Sequence, residues 1–325
     1  MKKIKAFLES FDRYQQQTPW LGFPIGVAKK FGDDQAGYLA SLVAYYGFFS
    51  LFPLLLVFST ILGFVLGRNS HLKGQILHSV LARLPIIGQQ LSVGSLRGSG
   101  LGLAVGIVFT LLAGIGVIQA LQYGMNEVWG VPFTKRPNFL MSRLRALIML
   151  AVFGVASLLT TFLSGLGASG GSLSIALKIL GPLASVALDF GILAIAFRVL
   201  TTADVSWRDV APGALTGAVA LAILQVVGGY YVTHQLKNAS QTYGTFAVVI
   251  GLLSWLYLGA QIAYYAAEIN VVKSKHLWPR SIITPPTDAE ERAVASQAKK
   301  QQRRPDESVR VGFGAPPSRR GSQRR

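Results

Sequence analysis

Long uncharged segments alternate with short charged ones along most of this chain. The first such segment runs from Gln35 to Gly67 without one charged residue. Because an α-helix rises about 1.5 Å per residue, this segment is longer than the ~20 residues that cross a ~30 Å hydrocarbon core. It predicts a membrane-spanning helix over residues 36–66. We expect this helix to be tilted or kinked, since Pro53 removes one backbone donor near its middle.

Five further apolar segments follow, each bounded by charged or polar residues. They predict spans at residues 99–125, 146–164, 179–200, 210–231 and 243–267. The predicted fold class is an all-α membrane protein with six transmembrane helices. Apolar residues at helical spacing also predict amphipathic helices at residues 1–16 and in the loop at 68–97. The N-terminal helix either lies on the membrane surface or packs against the cytoplasmic face of the bundle.

The overall composition supports a membrane protein and excludes some site chemistries. Hydrophobic residues make up 51% of the 325 residues, charged residues make up 14%, and the mean hydropathy is +0.44. These values are abnormal for a soluble domain. The chain has no cysteine, which excludes disulfides, thiolate metal ligands and cysteine nucleophiles.

The distribution of basic residues predicts the orientation of the spans. With the N-terminus inside, 25 Lys and Arg residues fall in cytoplasmic segments and 6 in outer loops. This bias follows the positive-inside rule, so both termini are predicted to be cytoplasmic. Three regions result: an N-terminal amphipathic segment at 1–34, the six-span domain at 35–272, and a basic tail at 273–325 that we expect to be largely disordered. The basic tail is interpreted as a solvated topogenic segment, with anionic lipid headgroups or RNA as alternative partners.

One acidic residue is predicted to lie near the centre of the membrane. Asp189 interrupts the fourth span, where an ionised carboxylate costs on the order of 2.5–3.5 kcal/mol, so it should face the bundle interior. It could bind a proton, a cation or a polar headgroup, or it could donate a structural hydrogen bond to a neighbouring helix. Polar residues that could accompany it are Ser185, Gln119, Gln225 and Gln261.

Four stretches of the sequence resemble one family. They are YLASLVAYYGFFSLFPLLL in the first span, NEVW at residues 126–129, PGALTGAVA in the fifth span, and YGTFAVVIGLLSWLYLGAQIAYYAAEIN in the sixth. Together they resemble the YihY/BrkB family of bacterial inner-membrane proteins over roughly residues 30–275. The family pattern commonly has serine where this chain has Thr245.

The resemblance implies six helices and a multi-pass location in the bacterial plasma membrane. The motif residues, interpreted as structural, are Tyr45, Tyr46, Pro53, Asn126, Trp129, Pro212, Gly213, Tyr243, Gly244, Trp255 and Glu268. Trp129 is expected at the membrane interface. Glu268 is expected to pair with Lys273 or Lys275 at the cytoplasmic exit of the last span.

The resemblance brings no settled activity, because members have carried labels as a tRNA-processing ribonuclease (ribonuclease BN) and as a virulence or serum-resistance factor. A cytoplasmic nuclease needs acid-base groups on that side, yet the predicted topology leaves only His276 there among the four histidines. The leading hypothesis is therefore transport or translocation of a lipid, another amphiphile or a small solute. A non-transporting envelope scaffold or assembly factor is the alternative. No metal or cofactor is predicted, and the expected partners are membrane lipids, with anionic headgroups at the basic segments.

Overall fold

The computed structural model describes residues 2–66, 100–167, 172–231, 245–283 and 286–313, and these are helical with no strand among them. The helices are α1 (Lys2–Gln17), α2 (Pro19–Asp33), α3 (Ala36–Leu66), α4 (Gly100–Val128), α5 (Phe139–Gly167), α6 (Ser172–Val199), α7 (Trp207–Tyr231), α8 (Thr245–Ser274) and α9 (Asp288–Lys300), with a short 3-10 helix at Phe133–Lys135. The helix predicted within 68–97 lies outside the described residues. So do Tyr243 and Gly244.

The long helices α3 to α8 coincide with the six predicted spans. Helix α3 continues through Pro53 over the predicted residues, whereas α5 and α6 each begin seven residues before the predicted start of their span. Four segments of the described chain are long and apolar enough to cross a membrane: Ile107–Val128, Phe139–Ala156, Trp207–Gly228 and Val249–Ser274. Helix α3 is uncharged over its whole length from Ala36 to Leu66. The chain is therefore an all-helical membrane protein with several spans, and the count of six crossings stays a prediction.

The six long helices form a closed ring in sequence order. Each packs against the next from α3 to α8, and α8 then packs against α3, while it also contacts α2 and α4. Small residues line the contact between α7 and α8. The Gly213 N–H donates to Asn270 Oδ1 at 2.7 Å, and a Cβ added at Gly213 would overlap the backbone oxygen of Ala266. The two backbones can approach because glycine has no side chain there.

Helix α1 buries its polar side and exposes its apolar side. Asp12 is fully buried and accepts hydrogen bonds from the backbone N–H groups of Ile282 and Ile283, at 2.8 and 3.0 Å. On the opposite side, Ile4 is 66% exposed and Phe7 is 69% exposed. The apolar face of α1 therefore does not pack on the bundle. An exposed apolar face of this kind favours the interpretation that the helix lies on the membrane surface.

Within the predicted basic tail, residues 288–300 form the regular helix α9. Helix α9 begins with a capping box, in which Thr287 accepts from the Glu290 N–H and the Glu290 carboxylate accepts from the Thr287 N–H. Acidic residues lie in its first turn and lysines in its last, which stabilises both ends of the helix dipole. Ala289 and Ala293 are buried against the bundle. The small apolar face needed for docking is too short to show as a periodic pattern in the sequence.

Candidate functional site

A lateral groove runs between α6 and α7. Its larger part is a cavity of about 730 Å³ lined by Leu183, Val186, Ala187, Phe190, Arg208, Ala211, Pro212, Leu215 and Lys273. A second cavity of about 290 Å³ shares Val186 and continues along Val219, Ala222, Ile223, Val226 and Val227. We call the two together the α6–α7 groove.

The wall that α7 contributes to this groove follows one face of the helix for most of its length. The lining residues from Arg208 to Val227 recur three and four positions apart, which is the spacing of a single helical face. At 1.5 Å per residue this stripe is about 29 Å long, close to the ~30 Å thickness of a hydrocarbon core. The groove therefore offers an apolar path as long as one bilayer core.

Two cations lie at one end of the groove. Arg208 is in the first turn of α7, and Lys273 is in the last turn of α8. Both are exposed, and neither forms an ion pair with any residue that the structure describes. The groove is thus amphipathic, with positive charge at one end and aliphatic side chains along the rest.

The predicted intramembrane polar residues do not form one site. Asp189 is half-buried on α6, and it has a partner, but it does not line the groove as its neighbours Val186 and Phe190 do. Ser185 is half-buried on the same helix. The other three lie on different helices: Gln119 is half-buried on α4, Gln225 is exposed on α7, and Gln261 on α8 donates to the Tyr257 hydroxyl at 2.9 Å.

A buried cluster of ion pairs joins α2, α4, α8 and α9 at the end of the bundle where the terminal segments meet. Lys30 on α2 contacts Asp34 and, at 3.3 Å, Glu268 on α8. Lys300 on α9 contacts Asp34 and Glu127, each at 2.8 Å, and Arg136 contacts Glu127 at 2.7 Å. We call these six residues the ion-pair cluster. Each of the three cations therefore has a close carboxylate partner in a site shielded from water.

The electrostatic surroundings shift the pKa values of the cluster residues outside the spans. Burial alone lowers the pKa of Lys30, but the Glu268 and Asp34 carboxylates favour its charged form more strongly, so the net pKa is raised. Burial raises the pKa of Asp34, and the ammonium groups of Lys30 and Lys300 outweigh it, so the net pKa is lowered. Both residues are therefore held charged across the neutral pH range.

Lys275 lies beside the cluster and behaves differently. Its Nζ donates to the backbone oxygen of Trp129, and no carboxylate contacts it among the described residues. Burial, followed by repulsion from Lys30, lowers the pKa of Lys275 to about 8. This lysine therefore loses its charge at a mildly alkaline pH.

The structure corrects two of the sequence interpretations near this cluster. Trp129 is 4% exposed, so it is a core residue and not an interfacial one. Glu268 is fully buried and pairs with Lys30, not with Lys273 or Lys275. The pairing was missed because Lys30 is 238 residues away in the sequence, and local spacing carries no information about it.

The other motif residues serve packing. Asn126 is buried, and its Oδ1 accepts from the Thr202 N–H and hydroxyl at 2.9 and 3.0 Å, which ties α4 to the loop after α6. The Tyr46 ring covers Gly116, and the Trp255 indole covers Gly228. Tyr45 is exposed and stacks obliquely on Phe49, and both Pro53 and Pro212 are half-buried within their helices.

The chain was compared with known proteins. The family model described as virulence factor BrkB matches residues 27–289. The chain belongs to this family. The match covers α3 to α8 with the ion-pair cluster residues Lys30, Asp34 and Glu268, and it ends within α9, before Lys300.

Individual relatives support a membrane protein of the BrkB family. A UPF0761 membrane protein of Methylibium petroleiphilum is 27% identical over 79% of this chain and 65% of its own length. One from Stenotrophomonas maltophilia is 29% identical over 70% of this chain and 55% of its own length. A Bacillus subtilis relative named ribonuclease-like, YfkH, is 25% identical over 72% of this chain and 88% of its own length. The chain thus spans less than two thirds of some relatives, and no solved structure matches it significantly.

The sequence did not identify the residues that form the groove mouth and the ion-pair cluster. Lys30, Arg208 and Lys300 were only counted among the cytoplasmic basic residues, and Lys273 was considered as a partner of Glu268. The four-residue spacing of Lys30 and Asp34 is a recognisable helical ion-pair signal. Within the described ranges, no group of three or more His, Cys, Asp or Glu side chains could hold a metal ion.

Proposed function

We propose that this BrkB-family protein binds a membrane amphiphile in the α6–α7 groove and moves it across or within the bacterial inner membrane. The observation that carries the proposal is the groove itself, in which an apolar wall about as long as a bilayer core meets Arg208 and Lys273 at one end. Pockets for small molecules are commonly apolar with a few well-placed polar groups.

The groove is open along its side, so an amphiphile can enter from the surrounding lipid. Leu183, Leu215 and Val226 on its walls are more than half exposed, as expected for side chains that face acyl chains. An acyl chain can then lie along α6 and α7 while the headgroup stays at the end with the two cations. The acyl chain then stays in apolar surroundings, since exposing it to water would cost about 0.8 kcal/mol per CH₂.

The test measures the flipping of a fluorescent phospholipid in proteoliposomes. A quencher added outside removes the fluorescence of lipid in the outer leaflet, so the rate of further loss reports flipping. Ala187→Trp places an indole in the groove, whereas Ala151→Trp places one on an exposed position of α5 away from it. We expect Ala187→Trp to slow flipping about tenfold, which corresponds to ~1.4 kcal/mol in the barrier, and Ala151→Trp to leave the rate unchanged. Equal rates for both variants and the native protein would refute the role of the groove.

A second candidate function is a non-transporting envelope scaffold or assembly factor. Two observations favour it: the ion-pair cluster fastens one end of the bundle, and Asp189 already has a partner in the structure. In that case proteoliposomes with native protein would show no lipid flux above protein-free ones. Asp189→Asn would then lower thermal stability, since its effect would be structural. Under the transport proposal, native protein gives a flux above that of protein-free liposomes, and Ala187→Trp in the groove lowers it.

We propose that the chain is not a ribonuclease, although the Bacillus subtilis relative is named ribonuclease-like. His276, the one histidine in the described residues, is exposed, and its backbone oxygen accepts from Arg292 at 2.8 Å. Several acids at this end serve ion pairs or helix capping, such as Glu127 with Arg136 and Asp209 with Ser206. Cleavage of tRNA by purified protein, abolished by His276→Ala, would overturn this proposal.

A further inference from the structure

The identity of the headgroup must decide which amphiphile occupies the α6–α7 groove. Lipid tails are as apolar as the side chains of the groove wall, so moving an acyl chain from bulk lipid into the groove changes its free energy little. A polar or charged headgroup gains or loses much more, because it exchanges water and neighbouring lipids for protein groups. The groove mouth is therefore where selectivity arises.

Arg208 and Lys273 differ from the cations at the same end of the molecule that form ion pairs. Lys29, Lys30, Arg136, Arg280 and Lys300 each pair with a carboxylate within 4 Å. Arg208 and Lys273 have no such partner among the described residues, and no acidic side chain lines either cavity of the groove. The mouth of the groove thus carries two positive charges that the protein itself does not neutralise.

None of the acidic groups close in sequence pairs with these cations, and Asp204, which is exposed four residues before Arg208, forms no ion pair among the described residues. Asp209 follows Arg208, but its Oδ2 accepts from the Ser206 N–H and hydroxyl at 2.9 and 2.7 Å, which commits it to the start of α7. Glu268 is on α8, one turn before Lys273, and is held in the ion-pair cluster by Lys30. An external anion is therefore the natural counter-ion for Arg208 and Lys273.

We infer that the α6–α7 groove selects an anionic phospholipid, with its phosphate between Arg208 and Lys273 and an acyl chain along Leu183, Phe190 and Leu215. This inference rests on the proposed function and names the class of amphiphile. Guanidinium groups bind phosphate oxygens in a bidentate manner, and lysine adds a point charge. The lateral opening admits the lipid, and the absence of acidic lining residues in the described groove removes repulsion of the headgroup.

The experiment measures both binding and flipping with phosphatidylglycerol as the anionic lipid and phosphatidylcholine as the zwitterionic one. Native mass spectrometry of detergent-purified protein reports lipid retention, and proteoliposomes report flipping. Arg208→Gln and Lys273→Gln are each expected to lower retention of phosphatidylglycerol about fivefold, which is the contribution of one basic residue near an anionic lipid surface. The double variant should lower it roughly 25-fold, since the two contributions add in free energy. Phosphatidylcholine should be unaffected.

Two controls separate charge in the groove from charge in general. Lys135→Gln removes an exposed cation that does not line the groove, and it should leave the preference for anionic lipid unchanged. The double variant Arg208→Lys with Lys273→Arg keeps both charges and should keep most of the preference, which also shows that these positions tolerate substitution.

The outcomes distinguish this inference from the proposed function. If native protein flips both lipids equally and the glutamine variants change nothing, transport stands and the anionic selectivity is refuted. If native protein retains phosphatidylglycerol through Arg208 and Lys273 but flips neither lipid, the site stands and transport fails. If soluble glycerol phosphate displaced bound phosphatidylglycerol as strongly as free phosphatidylglycerol does, the contribution of the apolar wall to binding would be refuted.

Discussion

Lys300 shows how a basic residue of the predicted tail becomes part of the core. Its ammonium group is almost completely buried and lies 2.8 Å from both Asp34 and Glu127. A buried lysine is tolerated when its desolvation is offset by close carboxylates. Both carboxylates keep a second cation, Lys30 or Arg136, so the network is redundant around Lys300.

Replacement of Lys300 by glutamine should weaken the docking of α9. Breaking a buried ion pair typically costs ~3–5 kcal/mol, and we expect about 3 kcal/mol here because each carboxylate retains one cation. Lys299→Gln is the matched control, since Lys299 is exposed and adjacent. Limited proteolysis should cut near residues 286–300 faster in Lys300→Gln than in Lys299→Gln. Equal cleavage rates would show that the ion pairs contribute nothing to docking.

Lys275 should make stability increase with pH on the alkaline side. Its pKa is about 8 in the folded protein and 10.5 as the unperturbed value, so between these pH values the unfolded state binds more protons. The free energy of unfolding then rises with pH by up to about 3 kcal/mol over this window. Lys30 does not oppose this rise, because its raised pKa places its own loss of charge above pH 10.5.

Thermal unfolding in detergent between pH 7.5 and 10 checks this prediction. Native protein should gain stability across the range, and Lys275→Met should flatten the dependence. Lys273→Met, an exposed lysine two residues away, should retain it. If the stability of native protein fell steadily from pH 8, the predicted rise in stability with pH could not be attributed to Lys275.

At the level of helices, the α7–α8 contact holds one wall of the groove in place. Gly213 and Gly217 face Ala266 on α8, and the Gly213 N–H bonds to Asn270. Because the groove is lined by α6, α7 and the end of α8, the separation of α7 and α8 fixes where Arg208 and Lys273 stand relative to each other. Packing at this contact is therefore coupled to the shape of the groove mouth.

Gly213→Ala should separate α7 from α8 and damage both stability and the groove. The new methyl group would overlap the Ala266 backbone oxygen, which cannot move without shifting the helix, and overpacking of this kind costs ~1–3 kcal/mol or more. Gly259→Ala on α8 is the control, since nothing lies within 4 Å of its added Cβ. Thermal unfolding should show a loss for the first and none for the second. Equal stabilities would mean that the helices are less tightly packed at Gly213.

At the level of the whole molecule, the N-terminal segment and the chain after α8 pack against each other. Gln15 donates to the Arg280 backbone oxygen at 2.7 Å, Arg280 contacts Asp33, and Lys29 contacts Glu290 at 2.6 Å. The two terminal segments therefore share one end of the bundle. A shared end requires an even number of crossings between them, as the predicted six-span topology has.

Single cysteines can test the predicted topology directly, because the native chain has none. Ser10→Cys and Lys299→Cys should react with a membrane-impermeant maleimide in inside-out vesicles, and Asn238→Cys in the predicted outer loop should react in intact spheroplasts. The basis is the excess of Lys and Arg in the predicted cytoplasmic segments. Labelling of the first two sites from opposite sides of the membrane would overturn the topology.

The sequence by itself determined the helical fold, the location in a membrane and the family. These properties depend on long apolar segments and local motifs, which can be read without knowing which helices are neighbours. The span at 36–66 was predicted with the bounds that α3 has, and the segments quoted from the first, fifth and sixth spans led to the family that the comparisons show. Helix α9 was not predicted, because the composition around its capping box at Thr287 is polar.

Only the tertiary structure decided which charges are neutralised and which are left for a ligand. Lys30, Glu268 and Lys300 meet because α2, α8 and α9 pack at one end of the bundle, across separations in sequence that no spacing rule can bridge. The same packing leaves Arg208 and Lys273 at the mouth of an apolar groove and places Asp189 beside that groove, not in it. Ion pairing depends on distance in space, and distance in space is a property of the packed helices and not of the sequence order.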